Sequence, residues 1–287
     1  MGEITKVGVV GCGLMGSGIA EVCARAGFDV VVNEIDTDAA AVGRARITAS
    51  LDRGLRSGKL SQDDRAAALS RLTFTGDFGD LADCQLVIEA VAERLEVKAS
   101  VLTALDKVLR SPDAIIASNT SSIPIIELAA LTQRPERVVG VHFFNPVPVQ
   151  RLVEIIPTQL TSDDVDERAS VFVTTSLGKT AIRARDRSGF VVNALLIPYL
   201  ISAVRMLESG SASAEDIDNG MVLGCAHPMG PLRLLDLIGL DTAQSVADSM
   251  YEEFKEPLYA PPPLLRRMVA AGTLGRKTGR GFYPYDK

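Results

Sequence analysis

The 287-residue chain has no tryptophan, only two histidines (His142 and His227), and 5% aromatic residues. So little imidazole narrows the search for a general base that works near neutrality to two positions. The four cysteines, Cys12, Cys23, Cys84 and Cys225, lack the spacing of a metal site or a redox pair. That excludes a disulfide framework and a zinc motif, and points to free thiols in a reducing cytoplasm. The longest strongly apolar stretch, 190–204, is interrupted by Asn193 and falls short of a membrane span. Met1-Gly2-Glu3-Ile4-Thr5-Lys6 runs straight into the first apolar segment, leaving no room for a signal or transit peptide, so a cytoplasmic location is expected. With 30 Lys and Arg against 36 Asp and Glu, the net charge of −6 argues against a nucleic-acid binder. Repeats and low-complexity tracts are lacking, and prolines cluster only at Pro261-Pro262-Pro263, read as a rigid loop.

What is present begins with a glycine-rich signature. Gly11-Cys12-Gly13-Leu14-Met15-Gly16 follows the apolar run Val7–Val10 and leads into a helical pattern. Strand, tight turn and helix come in the order a dinucleotide-binding βαβ unit requires. Gly11 makes the turn, Gly13 lets backbone approach a pyrophosphate, and Gly16 lets helix and strand pack closely, with Leu14 and Met15 opening the helix toward the phosphates. Asp29–Asn33 then reads as a second strand ending at Glu34, where a carboxylate would grip a ribose 2′-hydroxyl. Glu34 predicts NAD rather than NADP, with Arg44 and Arg46 the residues able to rescue NADP were the segment to fold back.

Further strands are expected at Leu72–Thr75, Leu86–Glu89, Ala114–Ser118, Val138–Phe143, Leu152–Pro157 and Thr180–Ala184, alternating with helical patterns. A polar helix covers Asp36–Lys59, another Gln62–Ser70, and a third Ser162–Leu177. After Asp186 strand patterns vanish and helices separated by Gly or Pro take over, at Phe190–Glu208, Ala214–Leu223, Leu232–Ile238, Thr242–Phe254 and Leu264–Ala271. The expected architecture is an α/β Rossmann-type, mostly parallel sheet over 1–186, followed by an all-helical domain over 187–287. The apolar excess of that second domain, Met206, Leu207, Met221 and Leu223 included, suggests a homodimer through it.

His142 lies at the carboxyl end of the sixth strand, the edge that faces the ligand crevice in open α/β sheets, whereas His227 sits in a loop between helices. Glu154, alone among the apolar residues of Leu152-Val153-Glu154-Ile155-Ile156, either faces water at a sheet edge or meets His142 from a neighbouring strand, orienting the ring and favouring its protonated form. Ser118-Asn119-Thr120-Ser121-Ser122 follows the fifth strand, where its hydroxyls bind a ligand oxygen or cap the next helix. Asn193, in an otherwise apolar helix, needs a hydrogen-bonding partner, and a substrate oxygen is one.

Together the glycine loop, S-N-T-S-S, H-F-F-N-P-V (His142–Val147), L-V-E-I-I, G-F-V-V-N and the terminal G-R-K-T-G-R-G-F-Y (Gly275–Tyr283) resemble the 3-hydroxyacyl-CoA dehydrogenase family along nearly the entire chain. Gly224–Pro231 is similar to its short bacterial members. The resemblance implies NAD-dependent hydride transfer at C3 of (S)-3-hydroxybutyryl-CoA or another short-chain 3-hydroxyacyl-CoA thioester, reversibly. It makes His142 the general base and Glu154 its partner, with Ser121 and Asn193 on the reacting oxygen. It puts Glu34 on the adenine ribose, and Glu93, Lys98, Ser121, Asn145 and Lys277 on the nicotinamide side. It reads 36–59 as a mobile CoA-contacting hairpin in which Ser50, Arg53 and Lys59 meet CoA phosphates. Here Arg53, Arg56 and Lys59 are more spread out than the family's usual lysine cluster, and Ala194 stands where the family often has arginine. The rival readings are a dehydrogenase of a free hydroxy acid and a non-catalytic NAD-binding protein.

Overall fold

Val7, Val9 and Val10 are buried in strand β1 (Lys6–Val10), the centre from which the first half of the chain is built. The computed structural model describes residues 3–285, and the chain divides into two units, Met1–Asp186 and Arg187–Lys287. In the first unit β1 pairs in parallel with β2 (Asp29–Asn33) and β4 (Leu86–Glu89). The sheet is completed by β3 (Leu72–Thr75), β5 (Ile115–Ser118), β6 (Val138–Phe143), β7 (Leu152–Ile156) and β8 (Thr180–Arg183), in the order β3-β2-β1-β4-β5-β6-β7-β8. Among the described strands of this sheet, only β6 and β7 pair antiparallel. Every residue of β4, β5 and β6 is buried, as expected of strands covered on both faces by helices.

Those helices are α1 (Leu14–Arg25), α2 (Thr37–Arg56), α3 (Gln62–Ser70), α4 (Leu95–Val108), α5 (Ile125–Ala129) and α6 (Asp163–Val171). Their starts follow side-chain chemistry. Asp36 caps α2 by accepting from the Ala39 amide, and Ser61 with Asp64 forms a reciprocal capping box on α3. The S-N-T-S-S hydroxyls do not cap α5. Asp186 does so instead, its two carboxylate oxygens each accepting at 2.7 Å from the amides of Ile125 and Ile126. Burial raises the Asp186 carboxyl above its usual range, although these two amides pull it down.

One expectation is extended and one needs correction. The hairpin expected over 36–59 is α2 followed by α3, both packed on α1. Gly43, Ile47 and Leu51 recur at helical spacing and are buried, and a Cβ at Gly43 would sit 2.5 Å from the Cys12 sulfur. The helix expected over Ser162–Leu177 is α-helical only to Val171 and then widens into a π-turn over Phe172–Ser176. The residues there include Val173, Thr174 and Thr175, whose branched side chains crowd the preceding turn.

The second unit consists of α7 (Val192–Glu208), α8 (Ala214–Cys225), α9 (Pro231–Ile238), α10 (Leu240–Phe254) and α11 (Pro263–Ala270) around a core that includes Leu200, Leu232, Leu235, Leu240, Met250 and Leu265. Its buried carboxylates serve backbone. Asp218 accepts from the amides of Leu232 and Arg233, and Asp236 from those of Phe282 and Tyr283. A Cβ at Gly281 would lie 1.8 Å from the Asp236 carboxylate, so the terminal glycine motif is a docking device for the tail. Burial holds the Asp236 carboxyl above its usual range. Among the described residues no helix is long and apolar enough to cross a membrane, and no cluster of side chains could hold a metal ion.

Candidate active site

The glycine loop turns at the carboxyl end of β1. Gly11 takes φ +88, and a Cβ on Gly16 would be 1.8 Å from the Gly11 carbonyl oxygen. Nothing lies within 4 Å of a Cβ built on Gly13. No side chain caps the start of α1, so its first amides remain available to a phosphate. This open, side-chain-free cradle at a helix N-terminus fits a dinucleotide pyrophosphate. At the end of β2 the half-buried Glu34 carboxylate accepts from the amides of Cys12 and Ile35, which aims it at the loop. Arg46 donates to the Cys12 carbonyl at 2.9 Å, and the Arg44 guanidinium stacks 4.4 Å from the Phe74 ring centroid. Both arginines are therefore engaged within the first unit. Burial, reinforced by Glu34, pushes the Cys12 thiol up to about 12, so it is an inert filler of the loop.

Across the sheet, β6 and β7 pair His142 directly with Glu154. His142 Nδ1 and a Glu154 carboxylate oxygen are 2.7 Å apart, with Glu154 0% and His142 6% exposed. The water-facing alternative for Glu154 is thereby excluded. The Phe144 ring lies 4.6 Å from the imidazole, centroid to centroid. Asn145, exposed just beyond β6, is joined to Pro146 by a cis peptide. The loop then returns to α1, where a Cβ on Gly18 would contact Val147 at 2.8 Å.

Between these two centres the ends of β4 and β5 carry a polar network. Glu93 accepts from the Thr120 hydroxyl at 2.6 Å, from the Ser121 amide and hydroxyl at 2.8 and 3.2 Å, and from the Ser122 amide and hydroxyl at 3.1 and 3.0 Å. Burial raises the Glu93 carboxyl, but Lys98 and these hydrogen bonds outweigh it and hold it below the usual carboxylate range. Lys98 is itself only 1% exposed and sits between Glu89, at 2.8 Å, and Glu93, at 3.2 Å. Lys98, expected at the cofactor, is thus held in place by these two carboxylates, and its ammonium also acts on its surroundings through Glu93.

Two members of this network escape a reading of the sequence. Glu89, at the end of β4, is 0% exposed and accepts from the Val91 amide, Lys98 and the Ser118 hydroxyl. Asn119 accepts from the Phe143 amide at 2.8 Å, tying the loop after β5 to the strand that carries His142. The available signal for Glu89 was the one that exposed Glu154, a lone carboxylate in an apolar strand.

The remaining candidates belong to other elements. Ser50 faces the buried Glu21 on α1, whose carboxyl is raised by burial against the opposing effects of Ser50, Arg25 and Arg53. Arg53 and Lys59 are exposed. A groove of about 620 Å³ beside Arg25, Asp64, Arg71 and Lys179 includes neither the glycine loop nor His142. In the second unit Asn193 is half-buried in the first turn of α7, and Lys277 pairs with Asp241 at 2.5 Å. His227 packs edge-on to Tyr199, whose hydroxyl lies 3.2 Å from His227 Nδ1.

This geometry agrees with comparisons to known proteins. Residues 6–187 match the family model for the 3-hydroxyacyl-CoA dehydrogenase NAD binding domain, and residues 189–285 match that for the C-terminal domain. A 3-hydroxybutyryl-CoA dehydrogenase of Mycobacterium tuberculosis is 58% identical, covering 98% of this chain and 99% of its own. One from Bradyrhizobium diazoefficiens is 47% identical over 98% of this chain and 96% of its own. The crystal structure of (S)-3-hydroxybutyryl-CoA dehydrogenase PaaH1 from Ralstonia eutropha superposes with a TM-score of 0.93 at 47% identity, covering 99% of this chain and 100% of that one. A glycine cradle on one side of the sheet, a buried His–Glu pair on the other, and relatives that run the length of both units make this chain a member of the 3-hydroxyacyl-CoA dehydrogenase family.

Proposed function

We propose that the protein is an NAD-dependent dehydrogenase that oxidises (S)-3-hydroxybutyryl-CoA to acetoacetyl-CoA and runs the reverse reduction. The buried His142–Glu154 pair at the ligand edge of the sheet carries this reading, because a scaffold protein gains little stability from a buried ionisable pair. The glycine loop with Leu14 and Met15 holds the pyrophosphate, Glu34 the adenine ribose, and Glu93, Ser121 and Asn145 the nicotinamide half. For Asn193 and Lys277, both in the second unit, the proposed contacts rest on family membership.

The nicotinamide, when bound, supplies the acceptor and donor of hydride. His142 takes the proton of the 3-hydroxyl as C3 is oxidised and returns it in the reduction. With Nδ1 engaged by Glu154, that exchange falls to Nε2. Glu154 fixes the ring plane and favours the imidazolium formed as the proton arrives. Ser121, anchored by its backbone amide to Glu93, turns its hydroxyl from that carboxylate to donate to the reacting oxygen. NADH formation is expected with the thioester and not with free (S)-3-hydroxybutyrate. Comparable rates on both substrates would favour a free-acid dehydrogenase, and no NADH from either would favour a non-catalytic NAD-binding protein.

Arg53 and Lys59 supply charge to the CoA phosphates, whereas Ser50 is engaged at Glu21. Changing both basic residues to Ala should raise KM for acetoacetyl-CoA roughly fivefold, the scale of about 1 kcal/mol for exposed charge pairs. A short thioester lacking the nucleotide should be unaffected, and equal losses on the two substrates would refute the assignment. The second unit also leaves Leu195 74% and Leu223 82% exposed, which supports a homodimer through it. Light scattering at micromolar concentration should return the mass of two chains, and the mass of one would refute the dimer.

A further inference from the structure

Glu89 has no part in the proton transfer, yet it is a fully buried carboxylate with every hydrogen bond directed at the walls of the site. It binds the Val91 amide and Lys98 Nζ, both at 2.8 Å, and the Ser118 hydroxyl at 2.7 Å. These partners come from the β4 turn, α4 and the end of β5. A buried ion pair is not retained for stability alone, since an apolar pair of the same volume serves as well or better. The charges also fail to cancel. Lys98 is the one cation among Glu89, Glu93 and itself, it lies nearer Glu89 than Glu93, and the remaining groups on Glu93 are neutral hydroxyls and amides.

We infer that Glu89 is a positioning residue that draws the Lys98 charge away from Glu93, so that the cluster keeps one net negative charge and the site favours the cationic, oxidised nicotinamide over the reduced one. Resting on the cofactor placement proposed above, this follows from topology: in a doubly wound sheet the second mononucleotide half binds at the ends of strands such as β4 and β5, where Glu93 and the Ser118–Ser122 loop lie. Oxidised nicotinamide carries a positive charge that the reduced ring lacks. Nearby net charge therefore acts on one redox state and leaves the other nearly unchanged. If Glu89 loses its charge, Lys98 neutralises Glu93 and this preference disappears.

The test is binding of NAD+ and of NADH, each measured at equilibrium by calorimetry on the full chain without substrate. Glu89→Gln should weaken NAD+ about five- to tenfold, the Coulomb scale for a unit charge roughly 10 Å away in a partly buried site, while NADH changes by less than about twofold. Adding Lys98→Met to Glu89→Gln leaves Glu93 as the cluster's one charge and should restore the wild-type ratio of the two dissociation constants. A purely structural role predicts equal losses for both cofactor forms and no rescue by the second substitution, and either result overturns the inference. Were Glu89→Gln recovered unfolded, Lys98→Met alone carries the test with opposite sign. Preference for NAD+ must then rise, and an unchanged or lowered preference overturns the inference. Wild-type protein that binds neither form would instead refute the cofactor site itself.

Discussion

His142→Asn is expected to lower kcat at least ~100-fold while NADH binding stays within about twofold, since a positioned general base contributes about 10²–10⁴-fold to proton transfer. The hydroxyl of a secondary alcohol is a very weak acid, so hydride cannot leave C3 unless a base accepts the proton as charge develops. Imidazole is the side chain suited to accept and return a proton near neutrality. His142 is held for that work by Glu154 Oε2 at 2.7 Å. Asparagine fills similar space and still donates to Glu154, so the fully buried carboxylate keeps a partner. Loss of the partner altogether would cost about 3–5 kcal/mol, which is why Asn and not Ala is the informative change. The loss should therefore fall on turnover rather than on cofactor affinity or folding. Glu154→Gln should slow turnover roughly tenfold to a hundredfold through ring orientation and lost charge. His227→Asn, whose ring packs on Tyr199 in the second unit, serves as the control and should leave kcat nearly unchanged. More than about a tenth of wild-type turnover in His142→Asn would place the base elsewhere.

Cofactor choice should follow Glu34 with an effect of similar size. A 2′-phosphate brings about two negative charges to the ribose hydroxyl that this carboxylate is placed to grip. Each pair of like unit charges about 4 Å apart costs roughly 1 kcal/mol in water and about 4 at an effective dielectric constant near 20. Catalytic efficiency with NADP should thus be about 100- to 1000-fold below that with NAD. Glu34 cannot readily swing aside, because it accepts from the amides of Cys12 and Ile35. Nor are Arg44 and Arg46 spare to compensate. Arg46 is bound to the Cys12 carbonyl and Arg44 lies on the Phe74 ring. Equal or better use of NADP would remove Glu34 from the ribose site.

Much of this site can be read from the chain, for physical reasons. The glycine loop announces itself because its three glycines meet distinct steric demands, and a Cβ at Gly16 would collide with the Gly11 carbonyl. The pairing of His142 with Glu154 follows once a lone carboxylate in an apolar strand is recognised as needing a partner. By that same logic Glu89 was legible, but a charge at the very end of a strand looks solvated until the neighbouring Lys98 is known to be buried. The burial of Lys98 does not show in the sequence, because a lysine on the first turns of a helix is ordinarily a surface residue. Burial of the α2 face at Gly43, Ile47 and Leu51 shows in the i, i+4 spacing, yet the polar residues between them make the helix look free of the sheet. The Ser118–Ser122 loop could be placed at the ligand edge by sequence, but not the convergence of Thr120, Ser121 and Ser122 on Glu93, which depends on how the β4 and β5 ends lie side by side.

The central claim is that hydride passes from C3 of the thioester to the nicotinamide. Its most direct test is mass spectrometry of the NADH formed from (S)-3-hydroxybutyryl-CoA deuterated at C3. Deuterium carried into NADH, with acetoacetyl-CoA as the other product, is the predicted result. NADH formed without the label, or label recovered in water, would contradict it.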